Sequence, residues 1–315
     1  MASRDYILIS PCRDEAAYMQ KTIDSIGAQT VLPKKWIIVD DGSTDASPQI
    51  LAEAARKYPF IQVITRRDRG ARSVGPGVIE AFYVGYDSIR PDENYNYICK
   101  IDVDLDIPST YFETMLQRME ANPRIGVCSG KPYFYGENGN LISEKCGDET
   151  AVGMIKFYRR ACFEQIGGFV REVMWDTIDC HRCRMKGWIA CSWDEPEIRF
   201  IHLRAMGSSH KSILAGRMRH GYGQYFMGTS LPYMTASSIY RLAHPPLIIG
   251  GLAMWWGFFS SMLAGKPRYS DREFRSFIRR YHWNCLFKGK TKATYELDQQ
   301  QAPVWEENRL VLMSS

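Results

Sequence analysis

The chain has 315 residues, 45% hydrophobic and 24% charged, enough to bury one large core or a domain with a substantial appendage, and too ordinary a balance for a disordered chain. The net charge of +5 is modest, and the basic residues form no recognised nucleic-acid-binding module, which argues against nucleic acid as a partner. Nine scattered cysteines without a repeated ligand spacing, behind an N-terminus Met1–Asp5 that lacks an apolar leader core, read as reduced thiols in a cytoplasmic protein. Cys180 and Cys183 have the spacing of a zinc half-site, but no second pair completes it.

The first predicted element is a buried strand over Tyr6–Ser10, followed after Pro11 by an amphipathic helix through Ile26 and a second strand over Trp36–Val39. Asp45–Tyr58 reads as a helix, Ile61–Ile64 as a third strand, Val74–Ile89 as a helix, and Tyr97–Ile101 as a fourth strand running into Asp102. Alternating strands and helices imply a mainly parallel sheet with ligands at the carboxyl ends of its strands. Tyr111–Ala121 is predicted helical and Gly126–Ser129 extended, and Gly136–Gly147 suits a loop or hairpin.

From Ile213 the character changes. Pro245–Ala264 carries no charged residue and contains Trp255-Trp256-Gly257-Phe258-Phe259, with Lys266-Pro267-Arg268 just beyond it. Ile198 to Ser270 holds no Asp or Glu, so the whole stretch attracts anions. A transmembrane helix, a hairpin in the bilayer interface and a core helix all fit the uncharged run. Its Pro-Pro start, paired glycines and clustered tryptophans favour the interface. The expected organisation is a domain over 1–230 and a helical, membrane-associating region over 231–315, peripheral or monotopic at an anionic inner membrane face.

Two clusters carry chemistry. An apolar strand ends in Asp40-Asp41-Gly42-Ser43-Thr44-Asp45, placing two carboxylates at a strand tip beside a helix start. Such acceptors suit ribose hydroxyls or base N–H groups, and the helix start suits a phosphate; a plain turn is the competing reading. A second strand ends in Asp102-Val103-Asp104-Leu105-Asp106, where alternate acids point the same way and can share Mg²⁺ or Mn²⁺. A cation there would stabilise the charge of a departing nucleoside diphosphate. A solvated acidic loop is the alternative.

Together with Ser10-Pro11-Cys12-Arg13-Asp14-Glu15, these motifs resemble the family 2 glycosyltransferases of the GT-A fold, over most of residues 5–205. The resemblance implies a Rossmann-like α/β domain whose mainly parallel sheet is flanked by helices. It also implies nucleoside contacts from Pro11, Glu15, Asp41 and Asp102, with Asp40 beside them among the donor-binding residues, and a divalent metal on Asp104. Asp14 stands where the family commonly has Asn. Gly167-Gly168-Phe169 and Met174–Asp179 resemble the family's acceptor side, which makes Asp176 the general base, with Asp179 one turn later as the rival. An N-cap role competes for Asp176. His202 matches a late histidine that completes the metal sphere in many GT-A enzymes, and Arg72, near Gly70, falls in a place similar to the donor-phosphate loop.

The implied activity is inverting transfer of a sugar from a nucleotide-sugar donor to a hydroxyl acceptor, which the basic, aromatic C-terminal segment would allow to be lipid-linked. A non-catalytic nucleotide-sugar-binding scaffold and a sugar-phosphate nucleotidyltransferase are the alternatives. The intact acids disfavour the first, and Ser10-Pro11-Cys12-Arg13 lacks the glycine-rich basic loop that the second needs.

Overall fold

The structure, a computed structural model, describes residues 3–67, 75–204, 213–244 and 246–314. The chain divides into two compact units, one of Met1–Arg171 with Trp188–Ala205, the other of Glu172–Gly187 with Met206–Ser315.

The first unit contains β1 (Tyr6–Cys12), α1 (Met19–Gly27), β2 (Lys35–Asp40), α2 (Ser47–Lys57), β3 (Ile61–Thr65), α3 (Pro76–Asp87), β4 (Tyr97–Ile101), β5 (Leu105–Asp106), α4 (Tyr111–Ala121), β6 (Ile125–Ser129), β7 (Pro132–Tyr135), β8 (Leu141–Ser143), β9 (Ile155–Arg159), α5 (Arg160–Gln165), β10 (Ile189–Ser192) and β11 (Phe200–His202). Seven strands form one sheet in the order β10-β6-β9-β4-β1-β2-β3. Neighbours are parallel except β9, which runs against both β4 and β6. Tyr6–Ile9 and Trp36–Val39 are buried on both faces of their strands, the unbroken apolar run that a covered parallel sheet requires. On α1, Met19, Ile23 and Ile26 recur at helical spacing and turn into the core. Each such side chain contributes roughly 1.5–3 kcal/mol by leaving water.

A smaller sheet, β5-β11-β7-β8, combines the β7–β8 hairpin with β11 and the short β5. Ahead of β11, Pro196–Ile198 forms a 3-10 turn, and the strand that follows ends on His202. Proline at the start of the turn has no N–H for a ladder.

The second unit carries α6 (Trp175–Met185), α7 (Ile213–Met227), α8 (Leu231–Leu242), α9 (Ile249–Leu263), α10 (Arg272–Lys288), α11 (Lys290–Gln300) and α12 (Ala302–Ser314). The expected boundary near residue 230 therefore falls inside this unit, between α7 and α8. Glycines set its packing. A Cβ at Gly221 would lie 2.0 Å from the Met254 carbonyl oxygen, and one at Gly257 2.1 Å from that of Met218, so α7 and α9 cross with their backbones nearly touching. Among the described residues no helix is long and apolar enough to cross a membrane.

Candidate active site

The register of the main sheet brings the acidic motifs together. Parallel pairing sets Cys12 beside Asp40 and Ile9 beside Lys100, so the carboxyl ends of β1, β2 and β4 adjoin. Pro11 lies near the tip of β1, half-buried. Just past the same tip, Asp14 takes a left-handed conformation (φ 53°), which Asp and Asn tolerate best among residues with a Cβ. Its Oδ1 accepts a hydrogen bond from the Thr44 N–H at 2.7 Å. This backbone demand accounts for the chemical similarity of Asp14 to the Asn common in the family.

Asp40 is buried, and its Oδ1 accepts from the Ser43 N–H at 2.9 Å, building the turn that carries Asp41. Asp41 pairs with Arg66, whose Nη1 lies 2.8 Å from Oδ1. Asp102 leaves β4 with its N–H on the Met154 carbonyl and its Oδ1 2.5 Å from the buried Lys100 Nζ. The same ammonium donates to the Gly153 carbonyl, which fixes it beneath the strand tip.

Around Asp104 the two sheets of this unit meet. One Arg204 nitrogen, Nη2, donates to Asp104 Oδ2 at 2.8 Å and to Glu15 Oε1 at 3.0 Å. His202 on β11 presents Nε2 to Asp104 Oδ2 at 3.5 Å, while its Nδ1 lies 3.1 Å from Glu144 Oε1. Burial works against the imidazolium, but the hydrogen bonds and charges of Asp104 and Glu144 outweigh it and raise His202 to about 9. Burial likewise opposes ionisation of Asp104, yet His202, Arg204 and Lys100 hold its carboxyl below the usual carboxylate range.

Two observations test whether these residues suit a divalent metal. Asp104 Oδ1 is buried without a hydrogen-bond partner among the described residues, an expensive state for a carboxylate oxygen. A carboxylate aligning the far nitrogen of a histidine, as Glu144 does, is the arrangement that orients metal-binding imidazoles. Asp104 and His202 thus fit as two ligands. Among the described residues no group of three or more His, Cys, Asp or Glu is arranged to hold a metal ion, so further ligands would have to come from elsewhere, such as a donor's phosphates.

The remaining expected site residues are Arg72, Asp176 and Asp179, the last two in the second unit. Arg72 falls outside the described residues. Asp176 is half-buried in the first turn of α6, after Met174 in a left-handed conformation, and feels the positive charge of Arg219 in the same unit. Asp179 is buried, and its Oδ1 accepts from the N–H of Cys180 at 2.7 Å. Cys180 and Cys183 are buried thiols on the same helix. The sequence reading passed over Glu144, Lys100 and Arg204 as site residues. Arg204 follows His202 by two positions at a strand exit, the one local sign that both serve the same place.

A mainly parallel sheet with acids at adjoining strand tips, joined to a second small sheet that delivers a histidine, defines a GT-A glycosyltransferase fold. Comparison with known proteins agrees. The profile described as "Glycosyl transferase family 2" matches residues 7–174, more than half of the chain, and the protein belongs to that family. The match ends before Asp176, His202 and Arg204.

Among curated relatives, a poly-beta-1,6-N-acetyl-D-glucosamine synthase of Staphylococcus epidermidis is 26% identical over 131 residues, covering 41% of this chain and 29% of the relative. Its counterpart in Staphylococcus aureus (strain COL) is 24% identical over 133 residues, again 41% and 29%. The aligned part therefore spans about three tenths of those relatives' length. Among solved structures, the mannosyltransferase PcManGT from Pyrobaculum calidifontis, in complex with GDP-Man and Mn²⁺, superposes with a TM-score of 0.51 at 15% identity, over 96% of this chain and 86% of that one. S. aureus TarS 1–349 in complex with UDP-GlcNAc gives 0.50 at 13% identity, over 97% and 92%. At such identity these likenesses speak for the fold.

Proposed function

We propose that the chain is a metal-dependent, inverting glycosyltransferase that moves a hexosyl group from a nucleotide-sugar donor to a hydroxyl acceptor. The observation that carries this reading is the Asp104–His202 pair, with one buried Asp104 oxygen that has no hydrogen-bond partner among the described residues, beside the carboxyl ends of β1, β2 and β4. Family membership supports it, as do the GDP-Man and Mn²⁺ in PcManGT and the UDP-GlcNAc in TarS.

Pro11, Glu15, Asp40, Asp41 and Asp102 are assigned to the nucleoside, and Arg72 to the diphosphate. Asp104 and His202 would hold Mn²⁺ or Mg²⁺, which when bound neutralises the charge of the departing nucleoside diphosphate. Arg204 keeps Asp104 and Glu15 in register, and Glu144 keeps the His202 ring turned toward Asp104. Asp176 is assigned as the base that takes the acceptor hydroxyl's proton as its oxygen attacks the sugar carbon. With one base and no assigned enzyme nucleophile, a single displacement inverts the anomeric centre. The burial of Asp179 supports Asp176 over its rival. The polymer-forming relatives support a role in polysaccharide, glycolipid or glycan synthesis, with a lipid-linked acceptor met at the inner face of a membrane.

The test is hydrolysis of a panel of nucleotide sugars with Mn²⁺ or Mg²⁺, with membrane extract added as an acceptor source, comparing the native chain with Asp104→Ala. Release of one nucleoside diphosphate that Asp104→Ala loses is the expected result. If no donor is bound or consumed with either metal, the reading falls and a non-catalytic scaffold takes its place.

A further inference from the structure

The second unit contains a helix with two different apolar sides. On α9, Gly250, Gly251, Met254, Gly257, Phe258 and Ser261 are buried. A Cβ on Gly251 would lie 2.5 Å from the Ser238 carbonyl oxygen of α8, so this side is closed against α7 and α8. The other side carries Ile249, Leu252, Trp256, Phe259 and Leu263, spaced three and four residues apart and hence on one stripe. Packing does not cover it: Ile249, Leu252, Trp256 and Leu263 are 56%, 57%, 51% and 68% exposed, and Leu247 and Ile248 just before the helix are as open. With Ile239 and Tyr240 on α8, such side chains expose an area on the order of several hundred Å², the upper end of what a soluble surface tolerates.

Several arginines gather beside this helix. Arg217 Nε would lie 3.7 Å from a Cβ on Gly250, which puts the guanidinium at the N-terminal end of α9. Burial and then the charge of Arg241 hold Arg217 below its ordinary value, so the two arginines crowd each other. His220 is pushed down to about 4 by burial and then by Arg241, Arg217 and Arg219. Lys266 is exposed just past the C-terminal end of α9, and Asp and Glu are absent from Ile198 to Ser270. A second copy of this face would bring cations against cations in either orientation of α9, which opposes self-association. At about 22 Å, a 15-residue helix is too short to span the bilayer core and long enough to lie in its interface.

We propose that the Ile249–Leu263 stripe, with Ile239 and Tyr240, inserts into the headgroup boundary of an anionic phospholipid bilayer, and that Arg217 and Arg241 take lipid phosphates. This deepens the membrane part of the function proposed above. Vesicle binding needs no sugar donor, so its failure is distinguishable from failure of the transfer reading.

The test is co-sedimentation of the full chain with phosphatidylcholine vesicles, with and without phosphatidylglycerol, circular dichroism confirming that each variant is folded. Phosphatidylglycerol should drive binding, and Arg217→Gln/Arg241→Gln should weaken it roughly thirty-fold, from two headgroup contacts. Leu252→Ser/Trp256→Ser should abolish it, and brominated lipid should quench the native chain more than Trp256→Phe. Absence of binding by the folded native chain to phosphatidylglycerol vesicles overturns the proposal. So does a concentration-dependent dimer that Leu252→Ser/Trp256→Ser dissolves while vesicle binding is unchanged.

Discussion

The proton on His202 offers a quantitative test of the site. Its side chain is 9% exposed and flanked by two carboxylates, which raise it to about 9 from an ordinary value near 6.5. At about 1.4 kcal/mol for each tenfold change in proton affinity, the rise from 6.5 to about 9 corresponds to roughly 3–4 kcal/mol. Because the folded-state value lies above the unfolded one, this stabilisation is fully present below pH 6.5 and is lost as the pH rises through 9. In chelator, the sheet-bearing unit should therefore lose roughly 3–4 kcal/mol of stability from this group over that window, at a limiting slope of about 1.4 kcal/mol per pH unit. His202→Gln should lose clearly less over the same window, its residual slope coming from buried thiols such as Cys12, Cys99 and Cys128, which burial holds above the ordinary thiol value. The assay is urea unfolding read by alkylation of Cys12, Cys99 and Cys128, all buried in this unit, so their labelling reports its opening and not that of the helical unit. A metal on Nε2 must displace the proton, so apparent Mn²⁺ affinity should rise up to tenfold per pH unit until about pH 9. Equal pH slopes in the native chain and His202→Gln would refute the reasoning.

Two further outcomes follow from the helical unit. Asp176→Asn should lower kcat by roughly 10²–10⁴-fold with the donor KM little changed, as expected for loss of a general base, whereas Asp179→Asn should lower the melting temperature and leave turnover per folded molecule within a few-fold; steady-state kinetics with thermal unfolding separates them, and the reverse pattern transfers the role to Asp179. Gly257→Ala would press a methyl onto the Met218 carbonyl 2.1 Å away, so unfolding should show a cost of about 1–3 kcal/mol or more, and an unchanged denaturation midpoint would mean that α7 and α9 do not cross so closely.

Legibility in the sequence tracked how local each cause is. β1 and β2 are buried on both faces and announce themselves as the apolar runs Tyr6–Ile9 and Trp36–Val39, whereas β4 was readable despite its buried Lys100 because it leads straight into the acidic motif at Asp102. The helix at Tyr111–Ala121 was readable to its ends because its apolar residues recur at helical spacing and face the core. β9 was missed because Lys156, fully buried, interrupts its apolar pattern, and its pairing with β4 is set by residues more than fifty positions away. The β7–β8 hairpin is mostly exposed and shows no clear alternation, so nothing local marked Glu144, whose bond to His202 spans 58 positions.

Charge in a window proved the least transferable signal. Arg204 and Arg217 belong to the same acid-free stretch, yet Arg204 is held by Glu15 and Asp104, from 189 and 100 positions away. Arg217 lies near Arg241 and beside the N-terminal end of a helix whose one side is exposed and apolar. An acid-free stretch therefore does not say which of its cations face an external anion, because the acids that neutralise one of them sit on strands folded in from elsewhere. That difference is why Arg204 is assigned to the active site and Arg217 to the membrane, although the sequence presents them as members of one basic run.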